Sequence, residues 1–129
     1  IYKPSFEIYD DVQIVYESRD KIIHNLEAFI NYENNIKGCY DKKDEIVLEL
    51  TEFFKNQVED ICKQENRKYK GDKYGESKFS AVNFDFHGGG SVRVICYDMG
   101  EKISAEKNWP DALAVTINSI EFDKYISTF

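Results

Sequence analysis

Apolar residues recur along this chain with two different periods. Ile22, Ile23, Leu26, Phe29 and Ile30 return every three or four positions, with Ser18 and Asp20 ahead of them as capping candidates and His24 and Glu27 turned away. That spacing predicts an amphipathic helix of about four turns, ending near Gly38, where glycine tolerates the left-handed backbone of a helix terminus. A second and longer helix is predicted from Asp41 or Asp44 to about Lys70. It places Ile46, Val47, Leu50, Phe53, Phe54, Val58 and Ile61 within an arc of about 140°. Glu45, Glu49, Glu52, Glu59 and Asp60 fall in an opposing arc of about 100°. Lys63, Arg67, Lys68 and Lys70 suit the negative end of the helix dipole, and Gly71 stops the run.

Downstream the period changes to two. Val82, Phe84 and Phe86 alternate with Asn83 and Asp85; Gly88, Gly89 and Gly90 follow; Val92, Val94 and Cys96 resume the alternation. Two alternating runs around a glycine-rich connection predict a β-hairpin. After a loop from Met99 to Pro110, Leu113, Val115 and Ile117 mark a third strand, and Ser119 can cap a short C-terminal helix carrying Phe122, Tyr125 and Ile126. Residues 1–17 alternate loosely around the Asp10-Asp11 pair, as one or two short strands or an extended arm. The expected fold is α+β: two N-terminal amphipathic helices packed on a three- to five-stranded, mainly antiparallel sheet, with a short C-terminal helix. Residues 1–129 are expected to form one domain, since 129 residues is an ordinary domain length.

Composition narrows the class. At 42% hydrophobic and 32% charged, the chain is too apolar for disorder and too polar for a helical membrane protein. Its uninterrupted apolar runs reach only four residues, Val94 to Tyr97 and Ala112 to Val115, against the roughly 20 that span a bilayer. No stretch resembles a secretory signal. Cys39, Cys62 and Cys96 are odd in number, widely spaced and without nearby His, so free thiols in a reducing cytoplasm are expected, with no structural metal and no cofactor.

The net charge of −7 is unevenly spread. Residues 1–65 carry 15 Asp+Glu against 8 Lys+Arg, whereas residues 66–129 carry 9 of each. Acidity of this kind disfavours direct contact with nucleic acid and steers basic partners toward the N-terminal half. Glu45/Glu49 and Glu49/Glu52 are like-charge pairs that cost a helix a few tenths of a kcal/mol each. A basic partner would relieve that repulsion. Asp41, Asp44, Glu45, Glu49 and Glu52 are therefore the candidate contact residues for such a partner; the plain alternative is a solvated helix face.

Catalytic patterns are sparse. His87-Gly88-Gly89-Gly90 is similar to the oxyanion loop of lipase-type hydrolases, but no Gly-x-Ser-x-Gly elbow accompanies it. The alternatives to an inhibitor are a small enzyme built near the glycine turn on His87 with Asp85, or as a cluster of Ser91, His87 and Asp85 or Asp98, and an interaction domain of a larger assembly. Asp72 with Glu76-Ser77-Lys78 is the only fragment suggestive of a metal nuclease, and it lies in a loop. Trp109, the only tryptophan, is expected as a buried anchor, with an interface anchor as the alternative.

The stretch from Asn108 through Trp109-Pro110-Asp111-Ala112-Leu113-Ala114-Val115-Thr116-Ile117-Asn118 to Ile126 resembles the closing strand and short helix of small bacterial immunity proteins, encoded beside contact-dependent growth inhibition and related polymorphic toxins. The Lys-, Ile- and Asn-rich, arginine-poor style of the chain suits an AT-rich, mobile locus. The resemblance implies a cytoplasmic inhibitor that binds a basic toxin domain, a nuclease by expectation, and occludes its active site. It spans about 20 residues and carries over no binding residue by motif.

Overall fold

A computed structural model describes residues 9–16, 19 and 23–120. The elements run β1 (Asp11–Tyr16), β2 (Ile23–Glu33), α1 (Ile36–Phe53), β3 (Val58–Lys68), β4 (Lys78–Phe86), β5 (Ser91–Asp98), α2 (Glu101–Lys107) and β6 (Asp111–Asn118). The six strands form one antiparallel sheet in the order β1-β2-β6-β5-β4-β3. The sheet dominates, and its first two strands precede α1. The expected pair of N-terminal helices on a smaller sheet is therefore overturned.

The first predicted helix is strand β2. Ala28 and Ile30 stand opposite Val115 and Leu113, while Phe29 stands opposite Ala114 and points to the other face. Both faces of β2 carry covered residues, such as Ala28 on one and Asn25 on the other. Strands covered on both faces lose their period-two signature, and what remains imitates a helical spacing. Gly38 does not stop a helix but sits in the first turn of α1. Asn35 caps that turn by accepting a hydrogen bond from the Gly38 amide at 3.1 Å, and a Cβ at Gly38 would run into the Asn35 side chain.

The second predicted helix divides in two. It ends at Phe53, the chain turns through Phe54 to Gln57, and Val58 begins β3, an edge strand paired only with β4 among the described residues. Glu59 and Asp60 thus leave the helix. The Gly88–Gly90 turn does join two strands as expected: the Gly89 amide donates to the Phe86 carbonyl, and φ values of 92° and 84° at Gly89 and Gly90 require glycine. The expected loop from Met99 to Pro110 contains α2, whose Ile103 is buried. The third predicted strand is β6. The N-terminal arm includes β1, whereas the C-terminal helix expected over 119–126 lies almost wholly outside the described residues.

Two layers of packing follow. On one sheet face Ile46, Leu50 and Cys39 of α1 meet Phe84, Val94, Cys96 and Leu113. Cys39 and Cys96 are joined in a disulfide with Cα atoms 6.1 Å apart, which corrects the expectation of free thiols; Cys62 is unpaired and exposed. On the opposite face Ala81, Ile95 and Ala114 are buried beneath half-buried Phe29, Phe79 and Tyr97. A polar row closes that face at one end: Asn25 Nδ2 donates to Asn118 Oδ1 at 2.6 Å, and Asn118 Nδ2 donates to Ser91 Oγ at 3.3 Å.

Candidate partner interface

α1 is fixed before its surface is considered. Its inner side is buried at Cys39, Ile46 and Leu50, and the disulfide ties its first turns to the middle of the sheet. The outer side therefore presents its side chains in a constant geometry. All five candidate carboxylates lie there. At about 100° per residue, Asp41, Asp44, Glu45, Glu49 and Glu52 occupy an arc of about 140°, and all five are exposed.

The same helix and the turn that follows it supply counter-charges that the acidic pattern alone had hidden. Lys37 reaches Asp41 at 2.8 Å, Lys42 reaches Glu45 at 3.2 Å, Lys43 reaches Asp44 at 3.4 Å and Lys55 reaches Glu52 at 3.0 Å. Glu49 alone of the five has no ion pair among the described residues. Hydrogen bonding and charge from Asp41 hold the Lys37 ammonium above its usual pKa. Exposed pairs of this kind contribute about 0–1 kcal/mol each, so they leave the carboxylates available to a stronger cation. They also offset much of the repulsion among the glutamates, which weakens relief of that repulsion as a reason for a partner.

A different feature of α1 was not visible in the acidic pattern. Leu48 is 73% exposed. It stands one turn from Asp44 and Glu45 on one side and from Glu52 on the other, so an aliphatic side chain is set among carboxylates. Its phase was the available signal: Leu48 falls on the acidic arc, whereas Val47 and Leu50 turn toward the sheet.

The other sequence candidates are dispersed. His87 is exposed in the β4–β5 turn, beside an open hollow of about 520 Å³ that Phe54, Gln57 and Phe86 also line. None of the described hydrogen bonds joins it to Asp85 or Ser91. Asp85 instead accepts from Asn83 Nδ2 at 2.9 Å, and Ser91 is buried beside Asn118. The Asp72 loop is a closed hydrogen-bonded turn. The buried Asp72 carboxylate accepts from the amides of Tyr74, Glu76 and Ser77 and from Ser77 Oγ, the last at 2.7 Å. Burial alone would push that carboxyl up, but these four hydrogen bonds outweigh it and hold the pKa below the ordinary value. No group of His, Cys, Asp or Glu suited to a metal ion occurs among the described residues. Trp109 is 36% exposed and packs edge-on against Tyr69, with ring centroids 6.5 Å apart, rather than being the buried anchor expected. No described helix is long and apolar enough to cross a membrane.

No family model, curated protein sequence or solved structure matches the chain.

Proposed function

We propose that this protein is an inhibitor of the immunity type, which binds a basic toxin domain, a nuclease in the first instance, and covers its active site with the outer face of α1. The observation that carries the reading is Leu48, an exposed aliphatic side chain with Asp44, Glu45 and Glu52 around it. An apolar centre within a polar rim is the common anatomy of a protein interface. Charge complementarity would give such a pairing its speed, with Glu49, unpaired among the described residues, as the first carboxylate to engage.

In that role the protein would work in the cytoplasm, where such a nuclease acts. The Cys39–Cys96 bond speaks against a reducing compartment, and trapping the thiols in cells before lysis decides between the two.

The reading is tested by association kinetics with the basic domain encoded by the adjacent toxin gene. Reversal of Glu45, Glu49 and Glu52 to Lys is expected to slow association about tenfold or more at low salt, with the difference shrinking as salt rises. Leu48→Ala is expected to act mainly on dissociation. Unchanged kinetics in both variants would remove α1 as the contact face.

A further inference from the structure

The sheet face turned away from α1 carries a second site of opposite sign. At its β3–β4–β5 end a hollow of about 550 Å³ is lined by Arg67, Lys68, Lys70 and Arg93, and by no carboxylate. A volume of this size is ordinary for a small-molecule pocket. Four cations converging on one hollow in a chain of net charge −7 is a concentration that solubility does not require.

Arg93 forms its floor. It projects from β5 between Asn83 and Thr116 of the neighbouring strands. Its guanidinium lies 5.4 Å from the centre of the Phe79 ring, and Nη2 donates to Gln64 Oε1 at 3.3 Å. Nε is buried with no hydrogen-bond partner, and Arg93 has no ion pair among the described residues. The nearest carboxylate on this face is Asp85, diagonal to Arg93 beyond Asn83 on β4 at about 7–8 Å, and it is engaged by Asn83 Nδ2; Glu27, across Thr116 on β2, is two strand spacings away. A guanidinium held on an aromatic ring, with donors unused and no carboxylate against it, is prepared for an oxyanion.

The walls add a second requirement. Tyr69, Phe79 and Tyr97 line the same hollow, and Tyr69 and Tyr97 meet edge-on at 5.5 Å. Aromatic walls of this kind accept a planar ring by stacking or edge contact. Burial outweighs the opposing pull of Arg93 and holds the Tyr97 phenol above its ordinary pKa, which keeps it a neutral hydrogen-bond donor.

We infer that this hollow binds a small ligand in which a planar ring carries an oxyanion, as in a nucleoside monophosphate, with the oxyanion on Arg93 and the rim cations and the ring against Tyr69 and Tyr97. The site is on the opposite sheet face from Leu48 and does not depend on the inhibitor reading.

The test titrates the whole chain with adenosine 5′-monophosphate and follows emission from Trp109, the sole tryptophan, which packs on Tyr69. Adenosine alone, inorganic phosphate alone and a short single-stranded RNA are titrated in parallel. Saturation by the monophosphate at or below about 1 mM, with each half-ligand at least about tenfold weaker, is the expected result. Arg93→Met is expected to weaken binding about tenfold or more. Lys68→Gln with Lys70→Gln, both exposed, gives a second reading that cannot fail through the core, and is expected to weaken binding several-fold and reduce its salt dependence. The inference is overturned by no saturation, by binding indifferent to both variants, by phosphate binding as well as the monophosphate, or by binding of the RNA alone.

Discussion

The two faces of the sheet solve the same burial problem by different means. Under α1 the residues are large and aliphatic or aromatic, Phe84, Val94 and Leu113 have no exposed surface, and a disulfide crosses the layer. On the far side two alanines and Ile95 are buried in the middle, and the larger side chains Phe29, Phe79 and Tyr97 pack against them while remaining partly open to water. The first arrangement maximises burial and dryness. The second leaves aromatic surface and the Arg93 guanidinium at a hollow, which is the state a ligand site needs and a core does not. Stability should therefore be concentrated on the α1 side, and binding chemistry on the other.

The largest effect that would break this contrast is expected at the disulfide. Cys39→Ala with Cys96→Ala opens a connection between residues 57 apart and should cost about 4 kcal/mol in the chain-entropy view, read as a fall of more than about 10 °C in Tm. Phe84→Ala should cost about 3–4 kcal/mol in urea denaturation, whereas Phe79→Ala on the open face should cost about 1–2 kcal/mol, since a half-buried ring loses less surface and leaves no closed cavity. Equal losses at Phe84 and Phe79 would abolish the distinction between the faces.

Asp72 sets a pH dependence. Its folded-state pKa lies below the ordinary carboxylate value, so its stabilising contribution is full above that value and fades as pH falls through the folded one. Asp72→Asn should be less stable than the parent protein at neutral pH, and the gap should narrow in urea melts carried below about pH 4. The smallest effect is expected from reversal of Glu45, Glu49 and Glu52 to Lys. Only two exposed ion pairs are lost, so stability should change by no more than about 1 kcal/mol, and circular dichroism should be unchanged. That outcome makes the triple variant a clean probe of binding.

The hairpin around Gly88–Gly90 and the strand ending at Asn118 were legible in the sequence because large apolar residues alternate along their α1 face, as Val82, Phe84 and Phe86 do, even though Ala81, Ile95 and Ala114 are buried on the other face, and because glycine marks the turn. β2 was not legible. Its large apolar residues Leu26, Phe29 and Ile30 are split between its two faces at helix-like spacing, which breaks the alternation. β3 failed for the opposite reason. Lys63, Gln64, Glu65, Arg67 and Lys68 are residues that favour a helix in isolation, and only the ladder to β4, absent from any local window, holds them extended. The five carboxylates of α1 were legible as a group. Their lysine partners were present in the sequence, but only the Lys37–Asp41 pair depended on a helix that begins at Ile36 rather than near Asp41. Arg93 carried no sequence signal as a binding residue, since its significance comes from the ring beneath it and the strands beside it.

The charges that disguised β3 as a helix have a consequence for the molecule in a crowd. β3 borders the sheet, and a border strand exposes backbone donors and acceptors that another chain can adopt. Glu59, Asp60, Lys63, Glu65, Arg67 and Lys68 stud it with ions of both signs, and bulges beside Val58 and after Gln64 interrupt its straightness. A second copy approaching that border would have to strip water from ions to gain a few main-chain bonds. The least helix-like feature of residues 58–68, their role as a margin, is what their helix-like composition protects.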